Sequence, residues 1–150
     1  MVAALLAVWG TAPLAHETQP AIAQGTVGPE LLEVMIGLNA EAQLAGVDQS
    51  VYTDTNDAPQ AEEYDRLRAL PAEELLALIE ASWPELRARF SLEGAGPLSF
   101  IEGMVVPPSS EDLARETILT LSAPLDEGAE GIQIGWAPEN GVLVLRQNRD

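Results

Sequence analysis

Thr117 to Arg146 constrains the fold most, because thirty residues there alternate between apolar runs and turn-forming clusters. Ile118 opposes Leu119 and Leu121 across a pleat, Ile132, Ile134 and Trp136 share one face at period two, and Val142 to Leu145 is continuously apolar. Asp126-Glu127-Gly128 and Pro138-Glu139-Asn140-Gly141 lie between the runs. Such residues tolerate positive φ or bond their own backbone, so the chain can reverse there. The pattern predicts three strands in an antiparallel meander, with the last run buried on both sides.

Upstream, Gly28-Pro29-Glu30 reads as a turn into a long alternating strand, in which Leu32, Val34, Ile36 and Leu38 face the core and Glu33, Gly37 and Asn39 face water. Ala40 to Gly46 suits either a continued strand or a helical turn. The polar loop Asp48 to Gln60 then bounds a helical insert over about 58–90, of two to three short helices. Tyr64, Leu67 and Leu70 recur at helical spacing, Pro71 suits a first turn, and Leu76, Ile79 and Trp83 form a stripe that Pro84 interrupts. Leu86 and Phe90 continue the apolar surface while Arg87 and Arg89 stay solvated. Trp83 and Phe90 read as core rather than as a ligand platform. Strand signals resume at Phe90 to Glu93 and from Leu98 to Val106, with Gly94 to Pro97 as a turn and Ser109 to Glu116 as a polar connector. The fold class is therefore α+β, a mostly antiparallel β-sandwich with a helical insert.

Composition narrows the partners. Of 150 residues 47% are hydrophobic, which suits one domain with a proper core. The net charge is -17, and all seven basic residues are Arg, so phosphate backbones and anionic lipid surfaces are disfavoured. No nucleic-acid partner is expected. With no cysteine, thiol catalysis, iron–sulfur clusters and zinc fingers are excluded, and the core holds without covalent staples.

Val2 to Trp9 is a short apolar run, followed by Gly10 to Ala15 and then His16 and Glu17. Residues 1–15 resemble the end of a secretory signal peptide, too short to span a bilayer as a helix. No Lys or Arg precedes the run, which points to a start upstream, and Pro13 departs from the small-residue pattern of a cleavage site. Cleavage after Ala15 would leave residues 16–150 as a single extracytoplasmic domain with His16 at its N-terminus. An α-amine and an imidazole nitrogen can chelate one divalent ion, and such ligands suit Ni(II) or Cu(II). His16 is thus the single metal candidate, with Glu17 as an added oxygen; the alternative is an ordinary polar side chain near the chain start.

Other chemistry is thin. Asp54, Asn56, Asp57 and Asp65 resemble a calcium loop, but Ala58 stands where an oxygen ligand belongs and Pro59 where a glycine does. Glu62 with Glu63, and Glu73 with Glu74, are sequence neighbours that diverge on a helix. No Gly-x-Ser-x-Gly elbow accompanies His16. The reading is non-catalytic: no enzyme, and no cofactor beyond the candidate metal ion.

The succession Ala15-His16-Glu17, Pro20-Ala21, Thr55-Asn56-Asp57-Ala58-Pro59, Leu67-Arg68-Ala69-Leu70-Pro71, Trp83-Pro84, Gly135-Trp136 and Val144-Leu145-Arg146 resembles the N-terminal exported part of HupE/UreJ-like membrane proteins. The resemblance implies a periplasmic β-rich domain before a multi-span membrane region, in a family associated with nickel or cobalt uptake for hydrogenase and urease. It carries over no transport residues, and it leads to the expectation of membrane spans beyond Asp150. A free secreted β-sandwich that binds a protein or carbohydrate is the alternative.

Overall fold

The computed structural model describes residues 17–147. Strand β1 (Ala21–Val27) turns through Gly28-Pro29-Glu30 into β2 (Leu31–Leu38), and the Gly28 amide donates to the Leu31 carbonyl at 2.8 Å. In β2 Leu32, Val34, Ile36 and Leu38 are buried as expected, whereas Asn39, expected to face water, is buried where its side chain caps the helix that follows. Helix α1 (Ala40–Ala45) settles the segment that the sequence leaves open. The Asn39 side chain accepts from the Ala42 amide at 3.0 Å, and Gly46 closes the helix at φ +74, so both ends are capped.

The insert contains α2 (Ala61–Arg68), α3 (Ala72–Ala81) and α4 (Trp83–Arg87), preceded by a 3-10 turn at Thr55–Asp57. Pro71 stands before the first turn of α3, and Pro84 lies in the first turn of α4, where a missing amide proton costs nothing. The buried stripe is Leu75, Ile79, Trp83 and Leu86, one residue off the expected Leu76, which is half-buried. Arg89 is not solvated as expected: it is half-buried, and its Nη1 donates to the Gln43 carbonyl at 2.8 Å.

The remaining strands are β3 (Phe90–Glu93), β4 (Ser99–Val106), β5 (Glu116–Pro124), β6 (Gln133–Trp136) and β7 (Leu143–Gln147). They form a five-stranded sheet, ordered β4-β5-β2-β1-β7, and a two-stranded sheet of β3 and β6. The whole is mixed α+β, and every described strand pair is antiparallel except β1 with β7.

The expected meander does not form. After β5 the Leu125 amide donates to Glu30 and the Asp126 amide to Gly94, which draws the chain off the large sheet and onto β3. Pro138 to Asn140 then makes a 3-10 turn rather than a hairpin, so the chain crosses to the far edge and β7 runs parallel to β1. An edge strand has one neighbour, and Val142, Val144 and Leu145 are exposed rather than buried on both sides.

One face of the large sheet carries Ala21, Ala23, Leu32, Val34, Ile36, Leu119, Leu121 and Ala123, against which the stripe of α3 and α4 packs. Each large apolar side chain removed from water there contributes about 1.5–3 kcal/mol. Trp83 is the centre of this layer. Its ring lies 6.1 Å from both Phe90 and Phe100, and its Nε1 donates to the Leu98 carbonyl at 3.0 Å. Trp136, on the period-two face with Ile132 and Ile134, is half-buried; it lies 5.8 Å from Phe90 and donates to the Gly141 carbonyl at 2.9 Å.

Candidate functional site

The opposite face of the five-stranded sheet has no element packed on it among the described residues. Strand register sets its side chains in rows, because paired residues point to the same side. One row crosses all five strands: Val144, Ile22, Gly37, Ile118 and Met104. The next holds Arg146, Gln24, Met35, Thr120 and Glu102, and the one beyond holds Thr26, Glu33, Ser122 and Ser99. Met35 is 46% exposed and Met104 56%, large values for apolar side chains near the middle and the edge of a sheet. The first row and Met35 thus make an apolar strip, divided at Gly37 by the carboxylate of Glu116 and bordered by those of Glu33 and Glu102.

Glu116 opens β5 on this same face, and its carboxylate lies over Gly37, in the space where a Cβ would stand. A Cβ there would displace the exposed Glu116 side chain. Beside it a groove of about 490 Å³ is lined by Ile22, Gly37, Val106, Leu113, Arg115 and Glu116. The connector that walls this groove is pinned to the helices. Arg68 donates to the carbonyls of Glu111 and Leu113, and Arg115 donates to Glu41 of α1 and to the carbonyls of Leu67 and Leu70. One Glu41 oxygen and the Thr117 hydroxyl are buried without a hydrogen-bond partner.

The side chains singled out by sequence fall elsewhere. His16 and the segment 1–15 lie outside the described residues. Asp54 caps the 3-10 turn, its carboxylate accepting from the Asn56 amide at 2.9 Å, and Glu17 pairs with it as a backbone bridge. Among the described residues no group of three or more His, Asp or Glu side chains converges as a metal would need. Glu63 accepts from Arg66 Nε at 2.8 Å and Nη2 at 2.6 Å on the surface of α2; that bonding lowers the Glu63 pKa and raises that of Arg66. Glu73 and Glu74 are exposed in the first turn of α3. Burial pushes the Tyr64 hydroxyl pKa up, a shift partly offset by the bond it accepts from Asn39 Nδ2 at 3.2 Å.

Sequence reasoning misses the strip because its members come from five strands and only register aligns them. A partial signal exists at Met35, the one large apolar residue between the core positions Val34 and Ile36 of β2. No helix among the described residues is long and apolar enough to cross a membrane. No protein-family model, curated protein or solved structure matches this chain.

Proposed function

We propose that residues 16–150 form a non-catalytic binding domain on the periplasmic side of the inner membrane, the extracytoplasmic part of a HupE/UreJ-like protein accessory to nickel or cobalt uptake. The observation that carries binding is the open apolar strip. The sheet's other face carries the core, buried at β1, β2 and β5, yet this one keeps Ile22, Met35, Met104, Ile118 and Val144 beside water.

The residues behind the resemblance support a shared framework rather than a shared reaction centre. Thr55, Ala58 and Leu67 are buried, the Leu67 and Leu70 carbonyls hold Arg115, Trp83 centres the core, and Trp136 is tied to Gly141. Leu92, Ile134 and Trp136 of the small sheet, with Ile132 beside it, pack on the core cluster, which favours a β-sandwich arrangement of the two sheets.

Reading the encoding DNA past Asp150 tests the membrane assignment. Several apolar stretches of about 20 residues are expected within the next hundred or so codons. A stop codon directly after Asp150 would leave a free secreted module instead. The metal candidate is tested separately by calorimetric titration of protein beginning at His16 with Ni(II) and Cu(II), beside His16→Ala. Equal weak binding by both proteins removes the N-terminal site.

A further inference from the structure

The identity of the element that covers the open face follows from its charge and its length. The strip runs across five strands at spacings of about 4.8 Å, so it is about 19 Å long. Apolar side chains on one face of a helix recur every 5–6 Å or so along its axis, and about 13 residues span 19 Å. The match in spacing favours a helix laid along the row.

Charge selects among possible occupants. Among the described residues, Glu33, Glu102 and Glu116 have no cation paired with them, and Arg146, at the edge strand, is the one basic side chain in these rows. A second copy of this chain would bring another net charge of -17 toward the same carboxylates. Anionic lipid and nucleic acid meet the same repulsion. A cationic helix meets the opposite: its apolar face covers Ile22, Ile118 and the methionines, while a Lys or Arg reaches the Glu116 carboxylate over Gly37 with its alkyl stem in the adjoining groove. The two methionines suit such a contact because unbranched thioethers adapt to an incoming surface.

From this geometry we infer that the open face binds a basic amphipathic helix, with Ile22, Met35, Met104 and Ile118 as the apolar floor and Glu116 as the central acceptor. The inference rests on reading the face as a binding surface and holds with or without a membrane region.

The test uses the full chain with 13C-labelled Ile and Met methyls and three synthetic peptides of about 14 residues. One carries Leu on a single helical face and Lys elsewhere, one replaces every Lys by Glu, and one scrambles the Leu positions of the first. The first peptide is expected to shift the Ile22, Met35, Met104 and Ile118 methyls, with roughly tenfold weaker binding to Met35→Ser/Met104→Ser. Glu116→Gln removes a charge and no apolar contact, and it should weaken binding several-fold at low salt; it keeps the test decisive if the double serine variant fails to fold. Equal binding of the Lys and Glu peptides at these methyls would overturn the partner's charge while leaving a binding face. Equal binding of the scrambled peptide, or shifts confined to other methyls, would overturn the helix. Self-association seen by sedimentation velocity and abolished by the double serine variant would put a second copy there instead.

Discussion

Arg115 Nε lies 2.6 Å from Glu41 Oε1, across 74 residues of sequence, and the carboxylate is 1% exposed. The same guanidinium reaches the Leu70 carbonyl at 2.8 Å and the Leu67 carbonyl at 3.1 Å. One side chain therefore joins α1, the C-terminal end of α2 and the entry to β5, and it fixes the connector that walls the groove.

Removing the cation leaves a buried carboxylate uncompensated and the Leu70 carbonyl without its donor, while the Leu67 carbonyl keeps the Leu70 amide. Arg115→Met should cost about 3–5 kcal/mol in urea unfolding, whereas Glu41→Gln, which keeps a neutral acceptor, should cost less. Arg66→Ala, which breaks the exposed pair with Glu63, should leave the unfolding midpoint nearly unmoved. An Arg115 variant as stable as the Arg66 variant would show that the buried pair does not hold the connector.

Tyr64 gives the stability a dependence on alkaline pH. Burial raises its folded pKa above the ordinary 10.0, so its contribution is fully present below pH 10 and declines as pH rises through the folded pKa, where the unfolded chain already ionises. With no lysine in the chain, few other groups lose protons in that window. Urea unfolding between about pH 8 and 11 should show the decline in the native protein and a flatter profile in Tyr64→Phe; parallel profiles would assign the loss to another group.

The two indole positions should separate clearly. Trp83→Ala removes a buried ring and leaves the Leu98 carbonyl unpaired, at about 3–5 kcal/mol. Trp136→Ala removes a half-buried ring and should cost less. Thermal midpoints in the reverse order would contradict the placement of Trp83 at the core centre.

Gly94 has φ +82, and an added Cβ would meet the Gly131 carbonyl oxygen. Gly94→Ala combines a strained backbone with a collision at the β3–β6 ribbon, so it should cost more than the roughly 1–3 kcal/mol of strain alone. Gly128 has φ +76 and open space around it, so Gly128→Ala should show only the backbone part. Equal losses in chemical denaturation would mean that the ribbon shifts freely.

Local pattern determined much of this protein. Alternation at Leu32 to Leu38 reports one buried face, Pro71 marks a helix start, Pro84 marks a break in the helical stripe, and Gly28 to Glu30 reverses the chain, because each depends on side chains within one turn or one pleat. The acidic, lysine-free and cysteine-free composition bounds partners in the same direct way. Tertiary structure alone decided where the last three strands go. Apolar periodicity says that Ile132 to Trp136 and Val142 to Leu145 can be strands, but not that the first pairs with Phe90 to Glu93 and the second runs parallel to Ala21 to Gly25. Pairing is a competition among distant edges, settled here by the Leu125, Asp126 and Ala21 amides finding acceptors on Glu30, Gly94 and Val142. The candidate site shares that origin: Val144, Ile22, Gly37, Ile118 and Met104 are scattered over more than a hundred residues, and only the register of five strands aligns them.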